Sequence, residues 1–285
     1  MVGDDVRHRG RAGRGVAVRV TSRWLALREP ADAAARAAEL VEHLPAPAPL
    51  VIHDLGCGTG AMGRWLAPLL PGPQHWVLHD TEADLLALAA IDLPAITVET
   101  RVSDITRLRA GDLAGATLIT ASALLDLLTE DELARLVTVC VGAGCPLLLT
   151  LSVVGRVDLI PADPLDRRVA SAFDDHQRRT THRGRLLGPD AVPVALEQFR
   201  RLGADILVRP SPWRLGSLHS DLAAEWFGGW VGAACKRQVG LAAEIDGYAS
   251  RRVAQAAVGR LAVTVHHADL LVLPRQSSRN RGESA

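Results

Sequence analysis

A chain of 285 residues, 48% of them hydrophobic, is long enough for one large domain or two small ones with a buried core. Its 32 basic and 32 acidic residues cancel, which argues against a protein that coats nucleic acid, because no surplus positive charge is left to displace counterions. The basic residues are almost all arginine, with Lys236 the sole lysine, a pattern that reads as GC-rich coding bias.

Residues 1–21 are polar, rich in Gly and Arg and without period, and read as a disordered tail. They lack the apolar stretch of a secretory signal. Pro30 to Leu44 has Pro at a helix start and Ala-rich helical spacing, and the following PAPAP ends that helix. Short apolar runs then alternate with helical segments. The runs are 50–55, 75–80, 96–100, 116–122 and 146–153, and the helices fall near 61–70, 82–90 and 130–141. Such alternation predicts βαβ units and a mostly parallel sheet. Leu136 to Gly155 is uncharged and long enough to cross a bilayer, but Gly142, Gly144 and Pro146 break it into helix, turn and strand.

Further along, 163–179 reads as a helix, 180–188 as a basic turn, 190–202 as a helix and 204–210 as a strand. A long helical stretch at 217–258 precedes a strand at 261–274, and 276–285 reads as a second disordered tail. The extra helices, about 156–188 and 217–258, read as insertions into one domain spanning 22–275. The four cysteines, Cys57, Cys140, Cys145 and Cys235, form no CxxC pair, which points to a reducing cytoplasm and not to a disulfide scaffold.

The most informative segment is Val51 to Gly60, VIHDLGCGTG, an apolar run entering a Gly-rich turn that opens a helix. Its G-x-G-x-G spacing is neither the dinucleotide fingerprint nor a phosphate loop with its lysine. The next strand ends at Asp80, where a carboxylate can accept from both ribose hydroxyls, and the third is followed by Ser103 and Asp104, where one can accept from an adenine amine. Together these describe an adenosine-binding crevice at the carboxyl ends of the strands.

DLGCGTG at 54–60, WVLHD at 76–80, VSDIT at 102–106 and LITASALLDLLT at 118–129 resemble the motifs of class I S-adenosylmethionine-dependent methyltransferases. WLALREPAD at 24–32, DPLD at 163–166, His176-Gln177, LGPDA at 187–191, WRLG at 213–216 and DLLVLP at 269–274 resemble uncharacterised bacterial small-molecule methyltransferases. The likeness spans about 22–274 and departs at 178–186, which leaves the acceptor open. It implies a Rossmann-like α/β fold: a mostly parallel seven-stranded sheet, helices on both faces, and insertions after strands 5 and 6. It implies S-adenosyl-L-methionine as cofactor. Gly56, Gly58 and Gly60 would face its methionine portion, with Cys57 a small packing residue between them. Asp54 would orient the loop or accept from the amino group. Asp80 and its neighbour Thr81 would serve the ribose, Ser103, Asp104 and Ile105 the adenine, and Ala121 would add backbone contacts. Arg28 would pair with the cofactor carboxylate or form a surface salt bridge.

Asp126 and His176 are the candidate catalytic residues. Asp126 follows the fourth strand and faces the acceptor or starts a helix. His176, on the inserted helix, is a general base or an exposed histidine. His176 and His182 lack the partners of a metal site. His266 and His267, adjacent on a strand, point to opposite faces. Trp213, Trp226, Phe227, Trp230 and Tyr248 read as helical core or as an apolar lid. Methyl transfer is an in-line displacement that needs alignment above all, and a base only for some acceptors. The favoured reading is a methyltransferase acting on a small molecule, with neither nucleic acid nor membrane as partner. The arginines at 167, 168, 178, 179, 183 and 185 suit an anionic acceptor or a solvated face. An RNA methyltransferase and a non-catalytic adenosine-binding protein are the competing readings. Oligomeric state is open.

Overall fold

The structure, a computed structural model, describes residues 20–44 and 49–274, so the expected tails lie outside the described residues except at Val20 and Thr21. Its strands are β1 (Leu50–Leu55), β2 (Gln74–Asp80), β3 (Ile96–Val102), β4 (Leu118–Ser122), β5 (Leu147–Ile160), a two-residue pair β6 (Thr180–Thr181) and β7 (Gly184–Arg185), β8 (Asp205–Pro210), β9 (Trp213–Leu215) and β10 (Ala262–Leu273). Eight of them form one sheet in the order β3-β2-β1-β4-β5-β10-β8, with β9 also on β10. β1 to β5 are mutually parallel, and β10 runs antiparallel to β5, β8 and β9. The helices are α1 (Ser22–Ala35), α2 (Ala61–Leu66), α3 (Ala83–Leu86), α4 (Glu130–Gly142), α5 (Asp166–Gln177), α6 (Ala191–Arg201), α7 (Ser220–Arg237) and α8 (Ala242–Ala257).

Helices cover both faces, and period-two alternation sorts the strand residues between them. Leu148 and Leu271 join Ile52, Trp76 and Leu78 against Met62 and Leu66 of α2. Leu147, Leu149, Leu270 and Val272 turn the other way, onto Leu133, Leu136 and Val137 of α4 and Ala195 and Phe199 of α6. α4 starts on a capping box in which Glu132 N donates to Thr129 Oγ1 at 3.2 Å and Thr129 N to Glu132 Oε2 at 2.9 Å.

The sheet has eight strands where seven were expected. The cause lies in β5 and β10, which outrun their parallel neighbours. β5 continues to Ile160, past the expected end at Val153, so the insertion begins after 160 rather than at 156. Two register breaks bend it. Between Ala268 and Leu270, Asp269 opposes Thr150 and Leu151; between Val265 and His267, His266 opposes 154–156, including Gly155 at φ +69°. Beyond the bends, β5, the first half of β10 and the unforeseen β9 form an antiparallel extension. α1, α5, α7 and α8 pack on this extension around a separate apolar cluster containing Trp213, Phe227, Trp230, Tyr248 and Val263.

Further corrections concern the helices and the basic turn. The first begins at Ser22, not Pro30, because Thr21 caps it by accepting from Trp24 N at 3.2 Å, and Pro30 sits inside it. Residues 38–43 form a separate 3-10 turn, and α3 is a single turn instead of a helix over 82–90. The 217–258 stretch is two helices separated by a 3-10 turn at Val239–Leu241, and the basic turn is the β6–β7 hairpin. Among the described residues no helix is long and apolar enough to cross a membrane, and the uncharged 136–155 stretch is indeed the end of α4 followed by β5.

Candidate functional site

The strand order reverses between β1 and β4, and the Gly-rich turn leaves the carboxyl end of β1 at that point. Gly56, Gly58 and Gly60 all have left-handed φ, at 69°, 56° and 83°, a conformation that side-chain-bearing residues adopt at a cost. The turn is tied to the end of β2: Gly56 N and Cys57 N donate to the His79 carbonyl at 2.8 and 2.9 Å, and Gly58 N donates to Asp80 Oδ2 at 2.8 Å. Asp80 Oδ1 accepts from Glu82 N at 2.9 Å, so each oxygen keeps a lone pair for a ligand hydroxyl. Thr81 is exposed beside it, and Ala121 is buried on β4 opposite Leu55. Burial pushes the Cys57 thiol far up, consistent with an inert packing residue.

At the end of β3, Ser103 N donates to the Asp80 carbonyl at 2.9 Å, which holds the two strand ends together. Asp104 caps the next turn, accepting from Thr106 N at 3.0 Å and Thr106 Oγ1 at 2.7 Å, and Ile105 is buried behind it. Ser103 and Asp104 line a cavity of about 240 Å³ with His79, Arg101 and Arg107. His53, His79 and Ser103 form a buried chain, Nδ1 to Nε2 at 3.1 Å and Nδ1 to Oγ at 3.0 Å. Burial holds both histidines near pKa 4, hence neutral.

α1 lies across the glycine turn. Leu25 Cδ1 is 3.0 Å from where a Cβ on Gly58 would sit, and Leu124 Cδ1 is 3.1 Å from that of Gly56. Glu29 takes two bonds from Arg64 of α2 at 2.7 Å. One turn along the same face of α1, Arg28 makes a bidentate pair with Asp32 at 2.9 and 3.1 Å and lies 5.0 Å over the Trp213 ring. Asp32 also accepts from Trp213 Nε1 at 2.9 Å. Arg28 is thus engaged by a protein carboxylate, in a pair that is largely buried rather than on the surface.

The structure adds a residue the sequence did not single out. Arg36, two turns beyond Arg28, is buried where the end of β4 lies beside Thr150 of β5, donating to Ser122 Oγ at 3.1 Å and Thr150 Oγ1 at 3.4 Å with its guanidinium 5.2 Å over Trp65. Its Nη1 is buried without a partner. Asp54 is buried as well: Oδ1 accepts from Thr120 Oγ1 at 2.8 Å and Oδ2 has no partner. Burial pushes its carboxyl up to about 6, against the Thr120 bond and the Arg36 charge. A cationic donor and an acceptor, each with one hydrogen-bonding atom unpartnered, therefore stand beside the end of β1, close enough for the Arg36 charge to act on Asp54. They suit the carboxylate and ammonium of an amino acid. Sequence reading had no signal for Arg36 beyond its i+8 spacing from Arg28 in an arginine-rich chain.

On the other side of the turn, Ala123 takes a left-handed φ of 51° and leads into a 3-10 turn, Leu125–Leu127, that carries Asp126. Asp126 starts no α-helix. It is half-buried, and burial pushes its carboxyl up to about 6 against the charges of Arg28 and Arg179. His176 is half-buried in the last turn of α5, its pKa lowered by burial and by the nearby Arg179, Lys236 and Arg237 charges. His182 is exposed on the hairpin. His266 and His267 do face opposite ways. His266 meets Asp158 at 2.7 Å, while His267 is buried edge-on to Trp213 at 5.5 Å and held neutral by burial, near pKa 3. Trp226, Phe227, Trp230 and Tyr248 are core: Trp226 stacks on Trp230 at 5.3 Å and Phe227 lies 5.7 Å from Tyr248. Of the six basic positions, Arg168 pairs with Glu244, Arg178 with Asp190 and Arg183 with Glu132.

No protein-family model matches the chain. No curated protein matches it in sequence. Many solved structures are similar to it. They include the cyclopropane synthase MmaA2 from Mycobacterium tuberculosis, with 15% identity, a TM-score of 0.46 and coverage of 82% of this chain and 81% of that one. A second is phosphoethanolamine N-methyltransferase 2 from Haemonchus contortus, with 14% identity, a TM-score of 0.40 and coverage of 83% of this chain and 52% of that one. A third is the YcgJ protein from Bacillus subtilis, with 11% identity, a TM-score of 0.50 and coverage of 84% of this chain and 97% of that one. This last likeness bears out the Rossmann-like α/β fold expected from the sequence.

Proposed function

We propose that the chain is an S-adenosyl-L-methionine-dependent methyltransferase whose residues 22–275 form one catalytic domain acting on a small molecule. The observation that carries this is one constellation at the strand-order reversal. Three left-handed glycines leave β1, and the carboxylates Asp80 and Asp104 stand at the ends of the next two strands, Asp80 bonded to that turn and its carbonyl to Ser103 N beside Asp104. Bound there, S-adenosyl-L-methionine supplies a methyl group on a positively charged sulfur. Asp80, with Thr81 beside it, takes the ribose hydroxyls, and Ser103, Asp104 and Ile105 border the adenine. The bare backbone of Gly56, Gly58 and Gly60 admits the methionine portion, with Ala121 bordering it on β4. Asp54 and Arg36 receive the ammonium and carboxylate, with Arg28 fixing the α1 roof through Asp32. Leu25, Leu124 and Trp213 keep water from the reacting centre.

A small acceptor fits better than RNA. Arg178 and Arg183 of the 178–185 segment, which an RNA would have to dock on, are held in ion pairs within the chain. The free thiols fit a reducing cytoplasm.

Calorimetric titration of the full chain with S-adenosyl-L-methionine tests the cofactor assignment. Binding below millimolar, weakened at least tenfold by Asp80→Ala, is expected. No heat at that concentration, or an unchanged affinity in the variant, refutes it.

A further inference from the structure

Building on the methyltransferase reading, we propose that the acceptor is a small carboxylic acid carrying a second group with an O–H or N–H, its carboxylate received by Arg179 and its donor hydrogen held by Asp126.

Both side chains are set on one framework beside the glycine turn. The 125–129 segment is pinned to the hairpin: Leu187 N donates to the Leu128 carbonyl at 2.8 Å, Arg183 Nη2 to the Leu127 carbonyl at 3.1 Å, and Thr129 pairs with Leu186. Leu186 N in turn donates to the Arg179 carbonyl at 3.1 Å, fixing the end of α5 to the same hairpin. Leu124, two residues before Asp126, packs on Gly56. Arg28 approaches from α1, one helical turn from Trp24, whose ring lies 6.4 Å from that of Trp213.

Within this frame, the neighbours are committed and these two are not. Arg178 is bidentate to Asp190 at 2.7 and 2.8 Å, Arg183 bonds Glu132, and Arg28 bonds Asp32. Arg179 makes a single long bond, 3.4 Å to the His176 carbonyl. Asp126 is half-buried and accepts from no other side chain among the described residues. Arg28 and Arg179 both act on its charge, yet neither forms an ion pair with it, so Asp126 and Arg179 stand on adjoining segments without a side-chain partner among the described residues.

Two unpaired opposite charges set this close select an occupant by charge. A simple anion is repelled by Asp126, and a simple cation by Arg28 and Arg179. A molecule with a carboxylate at one end and a hydrogen-bond donor at the other satisfies both, through charge-assisted bonds of the strong kind. The donor atom then lies on the Asp126 side, next to the glycine turn. The segment that supplies Arg179, 178–186, is also where the sequence departs from the methyltransferases it resembles, as a specificity element should.

The test uses the full chain saturated with S-adenosylhomocysteine. It is titrated calorimetrically with 3- and 4-hydroxybenzoate, 4-aminobenzoate, lactate and serine, and with benzoate and phenol as compounds lacking one end. Methyl transfer from labelled S-adenosyl-L-methionine is followed in parallel. Bifunctional acids are expected to bind, and their one-ended analogues to bind at least tenfold more weakly. Arg179→Gln should weaken the acids about tenfold or more while leaving S-adenosylhomocysteine affinity unchanged. Arg185→Gln, on the exposed side of the hairpin, should leave both unchanged. Equal binding of benzoate or phenol, an unaffected Arg179→Gln, or no acid binding by protein that does hold S-adenosylhomocysteine overturns the proposal and leaves the cofactor reading standing. Failure to bind S-adenosylhomocysteine at all overturns the cofactor reading, and the proposal with it.

Discussion

Replacing Asp269 with Asn tests how the site is held together. Asp269 is fully buried on β10, opposite the bulge in β5. Its carboxylate accepts from Leu151 N at 2.7 Å, from Ala37 N at 2.9 Å and from the Ser211 hydroxyl. Leu151 needs that acceptor because its left-handed φ of 56° takes its N–H out of the strand ladder. Asparagine keeps the volume but has one oxygen for two backbone donors, and its own NH₂ then faces an N–H. One buried donor left unsatisfied costs about 1–3 kcal/mol. The buried Arg36 also loses one of the carboxylates that offset its desolvation. Relief of the burial that raises the Asp269 pKa works the other way. The net expectation is about 2–4 kcal/mol of lost stability, or roughly 5–15 °C in Tm for a chain of this size. Urea and thermal unfolding followed by tryptophan fluorescence measure it directly. S-adenosyl-L-methionine affinity should fall with it, because Ala37 anchors the chain next to Arg36, the residue proposed to receive the cofactor carboxylate. A loss below about 0.5 kcal/mol would show that these N–H groups do not depend on the carboxylate.

Gly58→Ala forces a side chain into φ 56° and sets its Cβ 3.0 Å from Leu25. The backbone penalty alone is about 1–2 kcal/mol, and a tenfold or larger loss of S-adenosyl-L-methionine affinity is expected by calorimetry; full affinity would mean that α1 does not rest on the turn. The pH dependence of stability should be nearly flat between about 4.5 and 6. Asp54, Asp126 and Asp174 are raised from 3.8 to about 6, so the fold binds protons the unfolded chain lacks and stability falls as pH rises through this window. His53 and His79, lowered to about 4, and His267, lowered to about 3, act in the opposite sense. Asp54→Asn removes one carboxylate, so the variant's stability should climb with pH by up to about 1.4 kcal/mol per unit. A variant as flat as the parent in urea titrations would contradict these assignments.

The parallel half of the sheet was legible because each strand is short, apolar and bounded by turn residues. β1 falls at 50–55 as read, between a proline run and a glycine. The glycine turn and the two strand-end carboxylates were legible for the same reason: local chemistry demands those residues at those places. The rest depended on partners distant in sequence. Of the two bends in β5 only Gly155 shows in the sequence, and the one at Leu151 is held by Asp269, more than a hundred residues away. Pro30 looked like a helix start because Pro favours that position, yet Thr21 supplies a better cap earlier. Arg36 was one arginine among many until the fold buried it beside Ser122 and Thr150. Asp126 was noticed, but Arg179 was read only as the last residue of a helix, and the hairpin that follows it as a plain basic turn.

The antiparallel extension of β5, β9 and β10 gives the two halves of the crevice separate apolar foundations. The cofactor side rests on the clusters beneath β1, β2 and α2. The roof rests on Trp213, Phe227, Trp230 and their neighbours, and is joined to the remainder by the continuous β5 and β10 strands and by contacts such as Asp269 with Ala37. Repacking the part of the roof away from Leu25 and Glu29 therefore leaves the glycine turn undisturbed. Such a division allows acceptor preference to diverge among descendants of one cofactor-binding frame, and it marks the roof as the place to begin when redirecting the chain to a new acceptor.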